Sequence, residues 1–211
     1  PVPINIYVRP QDTNAAKGSF INLKQILAIF ETRFGPYRWE RVGYVGVPFN
    51  SGAMEHSTNI AYPLACITGN LAYESLYAHE LSHQWFGDLT TCSTAADMWI
   101  NEGWATYCES VYQELLYGSE AYRLNVSENH YNVLFSAHEE DDGYRALYGI
   151  PDEYTYGTTV YDKGADVVHT LRNYLGDSVF FAVITSLLDD YRFRDISSAG
   201  LRDYLSVHTG I

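Results

Sequence analysis

Apolar positions along this chain recur with two periods, and the change from one to the other divides it. Ile4, Ile6 and Val8 alternate with polar residues between Pro3 and Pro10, the period of a short strand. The spacing then lengthens to three and four. Phe20, Leu23, Leu27 and Phe30 line one face of a helix over 18–33 that Gly35-Pro36 stops. Residues 42–61 predict two short strands around the turn Asn50-Ser51-Gly52. From Asn70 the pattern is helical almost throughout, in segments 70–87, 97–117, 119–138, 158–175, 177–189 and 198–208. Between them, acidic Glu139-Glu140-Asp141-Asp142 and a Gly- and Tyr-rich stretch to Gly157 read as a solvated loop. A small sheet followed by a mainly helical lobe is an α+β organisation.

With 211 residues, 46% of them hydrophobic, the chain can bury a substantial core, which excludes disorder. A formal net charge of -13 repels phosphate backbones and anionic headgroups, so nucleic acid is not an expected partner. No run of 18 apolar residues and no leader pattern is visible, so neither a transmembrane helix nor a signal peptide is predicted. Pro1 stands where an initiator Met would, so the chain reads as trimmed from something longer. Cys66, Cys92 and Cys108 are odd in number and free of CxxC spacing, which points to buried reduced thiols. One glycosylation sequon, Asn125-Val126-Ser127, is present.

The chemistry is concentrated in His79-Glu80-Leu81-Ser82-His83, an HExxH sequence inside a predicted helix. Four residues turn a helix by about 400° and advance it about 6 Å, so both imidazoles project from one face and can share a metal ion. Glu80 then points alongside, toward metal-bound water. A third ligand is available in Glu102, eighteen residues beyond His83 in Asn101-Glu102-Gly103-Trp104. By composition the whole constellation would arise by chance about once in a thousand such chains. The helix carrying Glu102 has one apolar stripe, Ile100, Trp104, Tyr107, Val111 and Leu115, and another of Glu102, Thr106, Glu109 and Gln113. Thr106 and Glu109 are both candidates to orient a ligand histidine. Two imidazoles and one carboxylate leave zinc an open position, the catalytic rather than the structural arrangement. His130, His138, His169 and His208 lack partner spacing and are assigned to surface or packing.

HExxH, eighteen residues and then Glu in an Asn-Glu-Gly-Trp context resembles the gluzincin aminopeptidases, the family of aminopeptidase N and the leukotriene hydrolases. Gly52-Ala53-Met54-Glu55-His56 is similar to the family's Gly-Ala-Met-Glu-Asn exopeptidase motif, with His56 in place of Asn. Tyr161-Asp162-Lys163-Gly164 resembles the segment whose tyrosine stabilises the transition state. The resemblance implies a thermolysin-like zinc peptidase catalytic domain over 1–211, with flanking domains in a longer parent chain. It further implies Zn2+ on His79, His83 and Glu102, Glu80 as general base and Tyr161 as oxyanion donor. Ala53, Met54, Glu55 and His56 would meet the substrate's amino end, Glu55 by pairing with its ammonium group. The expected substrates are peptides with a free N-terminus. An endopeptidase of thermolysin type and a non-catalytic zinc-containing peptide-binding module remain the alternatives, and Tyr156 is a further candidate for the cleft.

Overall fold

In the computed structural model, which describes residues 2–211, two parallel connections build a three-stranded sheet. Strand β1 (Ile4–Tyr7) pairs with β2 (Val42–Val47), and β2 with β3 (Ile60–Pro63), each in parallel. Parallel neighbours require a crossover. The first crossover is helical, α1 (Thr13–Ser19) and α2 (Leu23–Phe34), and α2 buries Leu23, Ile26, Leu27, Phe30 and Phe34. The single helix expected over 18–33 is therefore broken at residues 20–22. There the Asn22 side chain leaves the helix line to donate to Glu74 Oε1 at 2.8 Å and Tyr117 OH at 3.0 Å.

The two strands predicted around Asn50-Ser51-Gly52 are present but do not form a hairpin, because β2 and β3 run the same way. The chain reverses between them instead. Met54 exchanges both main-chain hydrogen bonds with Ala61 in antiparallel sense, at 2.9 and 2.8 Å, so that residues 53–55 run along the outer edge of β3.

The helical lobe comprises α3 (Glu74–Ser82), α4 (Glu102–Tyr117), α5 (Ser119–Phe135), α6 (Ala137–Glu140), α7 (Gly164–Leu175), α8 (Asp177–Asp190) and α9 (Ser198–Thr209). Strand β4 (Thr90–Cys92) pairs in parallel with β5 (Arg194–Ile196), a ladder whose second strand the hydrophobic pattern does not announce. Several predicted helices are subdivided. A 3-10 turn, Ala95–Ile100, precedes α4, and a π-helical turn, Thr159–Lys163, precedes α7. Among the described residues no helix is long and apolar enough to cross a membrane.

Aromatic rings join sheet to helices. Phe20 lies 5.0 to 5.3 Å from the rings of Tyr44, Tyr62 and Tyr77. The hydroxyls of Tyr44 and Tyr62 donate to the carbonyls of Tyr77 and Tyr73, at 2.7 and 3.1 Å, which fastens α3 to the sheet. On the other side Trp104 stacks on Phe86 at 4.8 Å and on Phe180 at 5.9 Å. Helix α4 is central, packed by α2, α3, α5 and α7, so its burial exceeds the predicted stripe. Ile100, Trp104, Tyr107 and Val111 are buried as expected, whereas Leu115 is 42% exposed because the helix end runs out of the core. The three cysteines are free; Cys108 is buried as expected, while Cys66 and Cys92 are only half-buried. Asn125 of the sequon lies inside α5 and accepts a hydrogen bond from Ser110 Oγ.

Two helical backbones come into direct contact where α4 meets the start of α7. A Cβ on Gly103 would lie 2.7 Å from Gly164 Cα, and one on Gly164 2.8 Å from Gly103 Cα. Only glycine lets these two chains cross at this distance. At an unconstrained helix position Gly→Ala stabilises by about 0.5–1 kcal/mol. Gly164→Ala is expected to do the opposite, destabilising by about 1–3 kcal/mol through overpacking. Chemical denaturation of the zinc-loaded protein decides the sign.

Candidate active site

Helix α3 delivers the HExxH residues, but it is shorter than the predicted 70–87. His79 and Glu80 lie in its last turn, and His83 is its C-cap at φ −58°, ψ −22°. The near-helical backbone at His83 preserves the expected one-face projection, and the imidazole centroids are 4.8 Å apart. Helix α4 begins with Glu102. One donor atom from each of His79, His83 and Glu102 falls within 4.8 Å of the others, a cluster able to hold a metal ion and the only such His, Cys, Asp or Glu group among the described residues.

The surroundings aim these donors. His79 Nδ1 faces Glu109 Oε1 at 2.9 Å, and His83 Nδ1 faces the Phe86 carbonyl at 2.9 Å. With each Nδ1 engaged, both Nε2 atoms turn to Glu102 Oε2, 3.2 Å from each. Of the two candidates weighed for orienting a ligand, Glu109 thus reaches an imidazole. Thr106 does not, its hydroxyl donating to the Glu102 carbonyl within the helix.

The electrostatics call for a cation. Burial opposes protonation of both rings, but hydrogen bonds with Glu102, and for His79 also with Glu109, outweigh it. His79 is raised well above its ordinary value and His83 to about 8. Burial alone would raise Glu102, yet the two imidazoles hold it well below the usual carboxylate range. A metal ion among the three does the same work as the protons they otherwise share.

Glu80 is buried, and its Oε2 has no hydrogen-bond partner. Burial, opposed by the imidazoles and reinforced by the charges of Glu55 and Glu102, raises it to about 7. It lies on the wall of a cleft of about 330 Å³ shared with Ala53, Glu55, His79, His83, Glu102, Glu109 and Tyr161. Met54 and His56 are exposed and do not line the cleft, because successive residues of an extended segment face opposite sides. The four residues expected to act together at the substrate's amino end are therefore separated into Ala53 and Glu55, which face the cleft, and Met54 and His56, which do not.

Tyr161 sits in the π-helical turn, its ring 6.0 Å from that of His79 and nearly parallel to it. Burial, then the charge of Glu102 and a hydrogen bond with it, hold the phenol well above its ordinary value, so it remains a donor at neutral pH. Tyr156 is exposed and does not line this cleft, although the charges of Glu102 and Glu55 add to the upward shift that burial gives it. Gln84 escapes sequence reasoning altogether. It is buried, donates to the Glu55 carbonyl and Asp88 Oδ2, both at 2.9 Å, and accepts from Tyr37 OH and Thr58 N–H. One amide thereby ties the segment of Glu55 to the helix of His83. Only its position beside His83 in the sequence could have drawn notice.

An α+β scaffold that brings His-x3-His, a glutamate from the next helix and an unpartnered carboxylate to one cleft defines a zinc metallopeptidase catalytic domain. Residues 19–210 match the peptidase family M1 domain, and the chain belongs to that family. It is 26% identical to human aminopeptidase B over 94% of this chain and 32% of that protein. To chicken aminopeptidase Ey it is 29% identical over 97% of this chain and 23% of that protein. An M1 zinc metallopeptidase from Deinococcus radiodurans, a mutant bound to a Tyr-Ser-Ala substrate, superposes with a TM-score of 0.79 at 26% identity, over 90% of this chain and 41% of that one. Yeast leukotriene A4 hydrolase in complex with bestatin shares the fold with a TM-score of 0.86 at 19% identity, over 96% of this chain and 34% of that one. The chain thus spans about a third or less of the length of these curated relatives. Zinc is the cofactor that the donor set and these neighbours support.

His83→Ala is expected to abolish stoichiometric zinc, read by elemental analysis. Glu109→Gln should keep the fold but weaken zinc by about 10–100-fold, the usual effect of losing a carboxylate behind a ligand histidine. Competition with a chromophoric chelator measures it, and unchanged affinity would mean that Glu109 does not tune the metal.

Proposed function

We propose that this domain hydrolyses the N-terminal peptide bond of peptides as a zinc-dependent aminopeptidase, with the metal on His79, His83 and Glu102. When bound there, zinc supplies Lewis-acid chemistry, withdrawing charge from the scissile carbonyl and acidifying water. Glu80 takes the proton of the attacking water and hands it to the leaving amine. The observation that carries this reading is Glu80 itself, buried in the wall of the cleft, with no hydrogen-bond partner at Oε2 and a carboxyl raised to about 7. Buried carboxylates that serve only the fold ordinarily have their hydrogen bonds filled. A pKa near neutrality lets it both accept and return a proton. Tyr161, kept protonated, donates to the oxygen that becomes negative as the carbonyl is attacked.

Glu55 supports the exopeptidase part of the reading. It stands on the edge segment at one wall of the cleft, where a carboxylate can pair with a substrate's free ammonium and so count from the chain end. The relatives named as aminopeptidases agree with this assignment. The deciding assay is turnover of amino-acid anilides against N-blocked peptides, with and without a zinc chelator. Chelator-sensitive release from anilides alone is expected, and preferential cleavage of blocked peptides would overturn the assignment in favour of an endopeptidase.

Glu80→Gln and Tyr161→Phe should both retain zinc and fold yet lose most of kcat, the tyrosine variant by about 3 kcal/mol, or 10²–10³-fold. Glu55→Ala is expected to raise KM for free-amine substrates by about tenfold or more, the worth of a hydrogen bond to a charged group. Its effect on any residual cleavage of blocked peptides should be nil, and equal loss on both substrate types would remove Glu55 from amine recognition.

A further inference from the structure

The stretch 139–157, expected to be a solvated connection, is tied to both ends of the turn that carries Tyr161. Asp141 belongs to a run of four acidic residues, yet it is only 1% exposed. Its Oδ2 accepts the Thr159 N–H at 2.6 Å, one of the amides that the first turn of a helix leaves without an internal partner. Its Oδ1 fills the space beside Gly157, where a Cβ would lie 2.0 Å away. Next to it, Glu140 Oε2 accepts from the Thr158 hydroxyl. Beyond Tyr161, Lys163 Nζ donates to the Arg145 carbonyl, and Arg145 in turn donates to the carbonyls of Asp141 and Asp142. The Arg145 guanidinium lies 3.7 Å over the Tyr154 ring. Residues 140–145 therefore grip the π-helical turn at 158–159 and again at 163, with Tyr161 between the two grips.

We infer that Asp141 is a positioning residue for Tyr161, holding the turn in its π-helical form so that the phenol faces the metal cluster. The inference rests on the reading of Tyr161 as the oxyanion donor. At the entry to this turn the Gly157 carbonyl accepts from both the Val160 N–H at 2.9 Å and the Tyr161 N–H at 3.3 Å, so the Thr159 N–H is left to Asp141. A π turn carries one residue more than α geometry allows, so relaxing it would swing the residues involved by about 100° around the axis. Burying a carboxyl group is costly unless it is hydrogen-bonded, and the bond that Asp141 Oδ2 accepts comes from this turn. The close approach of Gly103 and Gly164 sets where α7 starts; Asp141 sets how the turn before it is wound.

The test compares zinc-loaded Asp141→Ala, Asp141→Asn, Gly157→Ala, Tyr161→Phe and the double variant Asp141→Ala/Tyr161→Phe on an amino-acid anilide, with zinc content and circular dichroism measured for each. Asp141→Ala is expected to lose kcat on the order of 10²-fold, the cost of a misplaced catalytic group, with KM and zinc content nearly unchanged. Asp141→Asn keeps an acceptor oxygen for Thr159 and should recover most of the activity. The double variant should be no slower than Tyr161→Phe alone, because both changes remove the same interaction. Should Asp141→Ala fail to fold, Gly157→Ala, whose methyl group displaces the Asp141 carboxyl, is expected to give the same selective loss of kcat. Multiplying losses in the double variant, or full activity in Asp141→Ala, would overturn the positioning role while leaving that of Tyr161 intact. Full activity in Tyr161→Phe would overturn both.

Discussion

Two backbones cross at Gly103 and Gly164 more closely than any side chain would permit, and the active site depends on that crossing. On one side of it, Glu102 is the residue before Gly103, at the start of α4. On the other, Tyr161 lies three residues before Gly164. The phenol and the carboxylate that interact across the cleft are thus fixed by a contact between atoms that carry no function of their own. The opposite wall is arranged in the same economical way. Gln84, one residue past His83, holds the Glu55 segment with its side-chain amide, which donates to the Glu55 carbonyl and accepts from the Thr58 N–H.

The parts of the site that were legible in the sequence are those set by local geometry. His79, Glu80 and His83 share a helix and its cap, so their spacing alone predicts their convergence. Glu102 follows at a distance that one strand and one turn can span. Glu109 was visible as a neighbour of Glu102 on one helix face, seven residues on, but nothing in the spacing chose it over Thr106; that choice lies in the packing of α3 on α4. Gln84 and Asp141 were not legible. Each works through partners distant in sequence, and a glutamine in a helix or an aspartate in an acidic run looks solvated until its tertiary neighbours are known.

The fold shows the same division. Helical periodicity located the long elements, because burying one face imposes a repeat whatever the surroundings. It did not locate the breaks at residues 20–22, 101, 136 and 158–163, of which the first and the last answer to side chains elsewhere, Glu74 and Asp141. The pattern at 42–61 announced two strands around a turn but not their direction, since parallel and antiparallel pairing share a period of two. That ambiguity mattered for function. Only with β2 and β3 parallel does the intervening chain double back as an outer edge, which carries Ala53 and Glu55 to the cleft and leaves Met54 and His56 outside it.

Glu55, Glu80, Glu102 and Glu109 all border one small cleft, in a chain already carrying a formal net charge of -13. Such a concentration of like charge is a liability for the folded state, offset in part by the two imidazoles and further by a cation held among them. Zinc binds the native arrangement and finds no such preassembled site in the unfolded chain, so occupancy and folding are linked. At a free concentration a thousand times the dissociation constant, that linkage amounts to about 4 kcal/mol, a large share of the stability of an ordinary domain. Zinc supply would then set how much of this domain stands folded, as well as what fraction of it is loaded.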